Sequence, residues 1–153
     1  MLARLQVEHD QILKTLDMLE MQFLDICRGG TPDYSLMRSI IEYIQDYPEQ
    51  VHHPLEDHVF SILLERVDEP ELIKELITEH TELEMETRKL KNTLELLKSG
   101  VVSKEEIKNQ LSTFLIRQRQ HIYIEEEKVH PLIKSVLTEK DWEHVQSSVP
   151  LYK

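Results

Sequence analysis

Four long segments of the chain repeat apolar residues at alternating steps of three and four, the spacing of one face of an α-helix. Gly29 and Gly30 end the first segment, and Ser99 and Gly100 end the third. Short connections between long helices make neighbouring helices antiparallel. The sequence therefore predicts an all-α fold, an up-down-up-down four-helix bundle. Its 3 glycines and 6 prolines are too few for the many tight turns of an all-β fold.

The second and fourth segments carry further signals. Pro48 and Pro54 interrupt the second segment, which runs from about Asp33 to Arg66, so we expect a kinked second helix. Ser103 begins a capping box at the start of the fourth helix. After that helix, Thr138 is a candidate N-cap for a short C-terminal helix.

Length and charge limit the function classes. A chain of 153 residues is expected to form one domain over residues 1–153. Its net charge of −11 argues against nucleic acid or an anionic membrane as partner, since both require clustered lysine and arginine. The single cysteine, Cys27, excludes a cysteine-based metal site. No signal-peptide or membrane-spanning run is present, so a cytoplasmic location is expected.

Each apolar stripe is interrupted by a histidine, and these are His9, His52, His80 and His121. His9 and His52 lie about 20 and 18 residues from the Gly29 loop, and His80 and His121 each lie about 19 residues from the Gly100 loop. In an up-down-up-down bundle these two loops lie at the same end. At about 1.5 Å per residue, all four lie near 30 Å from that end of the bundle. We therefore expect the four imidazoles to share one layer. A single histidine on an apolar face is more often a hydrogen-bonded core residue, but four at one height are poorly explained that way.

Carboxylates accompany these histidines at a spacing of four residues, which places both side chains on the same helix face. The pairs are His52 with Glu56, His121 with Glu125, and a third candidate, His80 with Glu84. Carboxylates buried among leucine and isoleucine are costly unless they are compensated. Metal ions compensate imidazole and carboxylate together. The absence of thiolate ligands argues against zinc, and a bundle interior is where dinuclear carboxylate sites occur, which favours iron.

In these features the sequence resembles the hemerythrin-like family, also called the HHE cation-binding domain. The resemblance covers nearly the whole chain. The segments that carry it are Glu8–Asp10, Tyr47–Asp57, Glu79–His80, His121–Glu127 and His130–Leu132. Each is weak alone, but their order and spacing together are specific.

The resemblance implies a hemerythrin-like bundle with an oxo- or hydroxo-bridged di-iron centre. By position, the terminal ligands would be His9, His52, His80 and His121, and Glu56 and Glu125 would bridge the irons. Glu126 is the alternative to Glu125, because some oxygen carriers use a spacing of five residues. Oxygen-carrying members have a further histidine where this chain has Glu84. That departure favours bacterial-type roles in iron handling, stress response or sensing over reversible oxygen transport.

Three functions follow from this resemblance. The favoured one is a non-enzymatic di-iron protein that binds or senses iron and small ligands, namely oxygen, nitric oxide or peroxide. The alternative is a redox enzyme that turns these ligands over. The third is a bundle whose metal is structural or lost and which acts through contacts with an unidentified protein partner. Among the other histidines, we expect His53 to lie next to the ligands or at the surface without binding metal. We expect His58, His130 and His144 to be ordinary solvated or capping residues.

Overall fold

The computed structural model describes residues 1–148, and within that range the chain is helical with no strand. The helices are α1 (Leu2–Cys27), α2 (Tyr34–Asp46), α3 (His53–Leu64), α4 (Glu71–Lys98), α5 (Lys104–Ile124), α6 (His130–Val136) and α7 (Glu139–Ser148). α2 with α3, and α5 with α6, each form one interrupted rod. Together with α1 and α4 they make the predicted four-helix bundle, and α7 is the predicted short C-terminal helix.

The ends of the helices follow from local chemistry. Asp33 and Ser103 accept hydrogen bonds from the backbone N–H groups of Leu36 and Glu106, which caps α2 and α5. The cap at Ser103 was predicted. The loops after α1 and α4 place Gly29 and Gly100 at φ angles of 85° and 77°, a left-handed conformation that glycine adopts without steric cost.

Both interruptions are π-helical turns. Pro48–His52 joins α2 to α3, which confirms the predicted kink in the second helix. Glu125–Val129 joins α5 to α6, and the sequence analysis did not predict it. In this second turn the His130 N–H donates to the Glu125 carbonyl, five residues earlier. Such turns rotate every later side chain relative to a continuous α-helix, and they occur often at functional sites.

Two separate apolar clusters fill the bundle. One lies toward the Gly29 and Gly100 loops and includes Leu16, Met37, Leu94 and Phe114 among its buried residues. The other lies at the opposite end and is built around Phe60. The layer of histidines separates the two clusters. Of the helices described, none is long and apolar enough to cross a membrane.

Candidate metal centre

Two carboxylates from different helices occupy the centre of the histidine layer. Glu56 on α3 and Glu125 at the start of the second π-turn are both 0% exposed. Glu56 Oε2 lies 3.1 Å from His9 Nε2, and its Oε1 lies 3.1 Å from His52 Nε2 and 3.2 Å from His80 Nε2. One carboxylate thus contacts imidazoles from three different rods of the bundle.

Glu125 makes the matching set of contacts. Its Oε1 lies 3.3 Å from His9 Nε2, and its Oε2 lies 3.1 Å from His121 Nε2 and 3.3 Å from His80 Nε2. The rings form two pairs: His9 and His52 have centroids 4.8 Å apart, and His80 and His121 have centroids 4.9 Å apart. Both carboxylates therefore lie between two pairs of imidazoles, as the predicted shared layer requires.

A second ring of carboxylates surrounds the imidazoles on their outer side. Each Nδ1 atom faces one carboxylate oxygen: His9 faces Glu126 at 3.2 Å, His52 faces Glu8 at 2.8 Å, His80 faces Asp57 at 2.6 Å, and His121 faces Glu79 at 2.7 Å. An ionised carboxylate only accepts hydrogen bonds, so each Nδ1 carries a proton and donates it. This arrangement directs every Nε2 toward the centre, as in the carboxylate–histidine–metal triads of metalloproteins.

The inner atoms fit a metal ion better than they fit one another. Within the described chain, the buried atoms without a hydrogen-bond partner include His52 Nε2, Glu56 Oε1, His121 Nε2 and Glu125 Oε1. Buried polar atoms are rarely left unpaired, because they lose water without gaining a replacement. Two groups have ligand atoms within 4.8 Å of one another, which is close enough to surround an ion: Glu56, His80, His121 and Glu125, and His9, Glu56 and His130.

Comparison with protein families agrees with this geometry. The family model described as the hemerythrin HHE cation-binding domain matches residues 1–133. This chain belongs to the hemerythrin HHE family. The matched range includes both inner carboxylates, the four layer histidines and His130, and it ends before α7. Comparison with curated proteins gives no match.

Without metal, the imidazoles that contact the two central carboxylates hold their protons tightly. Burial opposes charge on His9, but hydrogen bonds to Glu125 and Glu56 outweigh it and raise the pKa to about 10. Burial likewise opposes charge on His52, and the Glu56 carboxylate raises the pKa of His52 to about 9. Burial acts to raise the pKa of Glu56, but the neighbouring imidazoles, His52 first among them, hold it well below the usual range. Protons therefore balance the buried negative charge in the metal-free protein.

The metal-free HHE domain should accordingly lose stability as pH rises above neutrality. Between the ordinary imidazole pKa of 6.5 and the folded values of about 9 and 10, the unfolded chain releases protons that the folded chain retains. The free energy of unfolding then falls with pH. Urea denaturation of metal-free protein at pH 6.5 and pH 9 measures this directly. A midpoint that stays constant or rises over this range would contradict the expected proton balance.

The two residues left open by the sequence take different positions. Glu126, the alternative to Glu125, is 37% exposed in its side chain and bonds to the outer nitrogen of His9. The Glu84 side chain is 35% exposed, and its Oε1 lies 3.3 Å from Nδ1 of His53. Neither carboxylate belongs to the groups of ligand atoms described above. The structure thus brings together six of the predicted site residues and places Glu84 at their edge.

The structure contradicts the prediction for His130 and decides between the two alternatives given for His53. His130 is only 3% exposed, so the expectation that it is a solvated or capping residue is wrong. The second π-turn explains the error, because its extra residue rotates α6 and carries His130 inward. His53 is 6% exposed, which rules out the surface alternative. Its ring stacks on His80 with centroids 4.2 Å apart.

The outer carboxylates are the functional residues that sequence reasoning largely missed. The sequence analysis did not assign Glu8, Asp57 or Glu79 to the histidine that each one contacts, and the spacing of four residues would have paired Asp57 with His53 instead. Each of these three bonds to a histidine on a different rod: Glu8 to His52, Asp57 to His80, and Glu79 to His121. Spacing along one helix carries no signal for such pairs.

A small cavity borders the inner atoms on the side of the first apolar cluster. Its volume of about 10 Å³ is about enough for one water-sized molecule. Its apolar wall is formed by Ile12, Ile44 and Ile122. The buried Gln118 also lines it, and this polar residue is not one of the candidate metal ligands. A water-sized molecule at this point would lie against the inner imidazoles and carboxylates.

Proposed function

We propose that this HHE domain binds two iron ions and, through them, binds or senses small ligands such as oxygen, nitric oxide or peroxide, in iron handling or stress response. His9, His52, His80 and His121 would be terminal ligands, and Glu56 and Glu125 would bridge the two ions. Residues 1–133 match a cation-binding family, and the inner donor set is imidazole with carboxylate. Such a set in a helical bundle suits iron.

The shared position of the two carboxylates is the observation that supports two ions. The two oxygens of Glu125 face different imidazole pairs, Oε1 toward His9 and Oε2 toward His80 and His121. Glu56 also contacts both pairs, because its Oε1 lies between His52 and His80 while its Oε2 contacts His9. A single ion could use only one side of each carboxylate, and half of the buried imidazoles would then lack a partner.

The apolar cavity supports the small-ligand part of the proposal. Bound iron would supply a redox-active centre with a coordination position open to an added ligand. The residues of this chain do the rest: the isoleucines exclude water and larger molecules, and Gln118 offers a side-chain amide to a ligand in the cavity. Organic substrates would not fit into about 10 Å³.

Glu84 has a separate place in this proposal. To ligate an ion as predicted, its carboxylate would have to leave His53, to which it is bonded. In that contact it fixes the orientation of the His53 ring against His80. An anionic ligand at this position would favour ferric over ferrous iron, so its movement would change the preferred oxidation state.

Anaerobic loading with ferrous iron should give two ions per chain. The reason is that each central carboxylate contacts imidazoles of both pairs, so the donors surround two points in the layer and not one. Metal analysis after removal of free iron measures the ratio. His52→Ala should lower it, whereas His144→Ala, which changes an exposed histidine, should leave it at two. One ion per chain, or a preference for zinc when both metals are offered equally, would contradict the proposal.

The alternative function, a di-iron redox enzyme, would use the same cavity and the same ions. Multiple turnovers of peroxide, oxygen or nitric oxide, with a reductant supplied, would favour the enzyme. A single stoichiometric reaction with each ligand would favour binding or sensing. Because both functions need an open position on iron, only this kinetic measurement separates them.

We also propose that residues 1–153 form one domain, although residues 149–153 lie outside the described part of the chain. α7 follows the matched range, yet its Val145 is fully buried in the cluster around Phe60. Arg66, just after α3, donates two hydrogen bonds to the Asp141 carboxylate, at 2.6 and 2.7 Å. α7 is therefore packed on the bundle and is not a separate unit.

A further inference from the structure

His130 is buried beside the metal centre without any partner for its polar atoms. Its side chain is 3% exposed, and within the described chain neither Nδ1 nor Nε2 makes a hydrogen bond. A neutral imidazole has one donor and one acceptor, so both are unpaired here. The other histidines of the layer all have a carboxylate on Nδ1. A metal ion bound beside the ring would give one of these nitrogens a partner.

The position of His130 indicates what that partner is. Its ring lies parallel to the ring of His9, with centroids 5.2 Å apart and planes 9° apart. Ligand atoms of His130, His9 and Glu56 lie within 4.8 Å of one another. Three atoms this close together all lie within about 2.8 Å of one common point, and bonds from a metal ion to imidazole nitrogen are about 2.1 Å long. Movements of less than about 1 Å would therefore bring all three atoms onto one ion.

The second π-turn is what creates this position. In a continuous α-helix, the residue five places after Glu125 would lie about 140° further round the axis and point away from the centre. The i→i+5 hydrogen bond from His130 N–H to the Glu125 carbonyl returns His130 to the same side as Glu125. The irregular turn thus serves two residues: it starts with a buried carboxylate and ends with a buried imidazole.

We propose that His130 is an additional ligand to the ion on the His9 side. This inference rests on the proposed metal centre and deepens it. The His9 and His52 side would then have three imidazoles, whereas the His80 and His121 side would have two. The two ions would therefore differ in affinity and in their ligand field.

The test is His130→Phe, which keeps a buried aromatic ring but removes both nitrogens. Anaerobic titration with ferrous iron against a coloured ferrous chelator should show at least about a tenfold loss of affinity for one ion and none for the other. The metal-free variant should melt at or above the temperature of the unmutated protein, because an unpaired buried imidazole has been removed. His144→Phe, which changes an exposed histidine, is the control and should leave both affinities unchanged.

A second variant guards against poor packing of phenylalanine. His130→Ala should show the same loss of affinity, and added imidazole should restore it by filling the space as a ligand. Unchanged affinities in both variants, with a lower melting temperature without metal, would overturn the inference and leave His130 a structural residue. If the unmutated protein binds one ion only, the two-iron proposal fails, but a tenfold loss for that ion in His130→Phe would still support ligation.

Discussion

Glu125→Ala is expected to abolish binding of both iron ions while leaving a helical bundle. The Glu125 carboxylate lies between the two imidazole pairs, with His9 on one oxygen and His80 and His121 on the other. Its removal takes a ligand from each ion and leaves less negative charge to balance two cations. Metal analysis should fall from two ions per chain to fewer than one, while the far-ultraviolet circular dichroism remains helical.

The neighbouring glutamates provide matched controls. Glu127→Ala changes an exposed residue of the same π-turn and should retain two ions. Glu126→Ala removes the carboxylate bonded to the outer nitrogen of His9, so we expect about a 10- to 100-fold loss of affinity without loss of the site. If Glu126→Ala empties the site and Glu125→Ala does not, then Glu126 is the bridging ligand and the register of the turn differs from that described.

Metal loading is expected to raise the melting temperature by at least about 15 °C. An ion present at 1,000 times its dissociation constant stabilises the folded state by about 4 kcal/mol, and two ions by about twice that. For a domain of this size, 1 kcal/mol corresponds to about 2–4 °C. The effect is large because, without metal, the unpaired inner atoms of Glu56, Glu125, His52 and His121 remain buried.

Calorimetry of metal-free and iron-loaded protein, both kept anaerobic, measures this shift. His52→Ala provides the control, since it should reduce the difference between the two samples by removing a ligand. Equal melting temperatures for metal-free and loaded protein would contradict the coupling of metal binding to folding. Increasing the free iron concentration should raise the melting temperature further, as mass action requires.

The sequence was sufficient for the fold because its signals are local. Apolar stripes, caps at Asp33, Ser103 and Thr138, and glycines at the loops each depend on residues within a few positions of one another. The kink near Pro48 was predictable because proline lacks the backbone N–H that a continuous helix needs. The second π-turn contains no proline and no glycine, but Pro131 follows it as Pro54 follows the first, and the sequence analysis did not use that signal.

The inner site was partly predictable for a related reason. Loop positions and the rise per residue set the height of each histidine, and the spacing of four placed Glu56 beside His52 and Glu125 beside His121. The same spacing led to Glu84 beside His80. In the folded protein, however, its carboxylate lies on His53. Spacing on one helix identifies a shared face, but it does not decide which neighbouring helix supplies the contact.

The sequence by itself determined the bundle, the layer of four histidines and the two central carboxylates, because helical periodicity repeats over every few residues. Only the tertiary structure decided the outer partners and the burial of His130. Glu8, Asp57 and Glu79 each bond to a histidine on another rod, and those pairings depend on how the helices pack. His130 faces the centre because one added residue in a π-turn changes the rotation of all that follows.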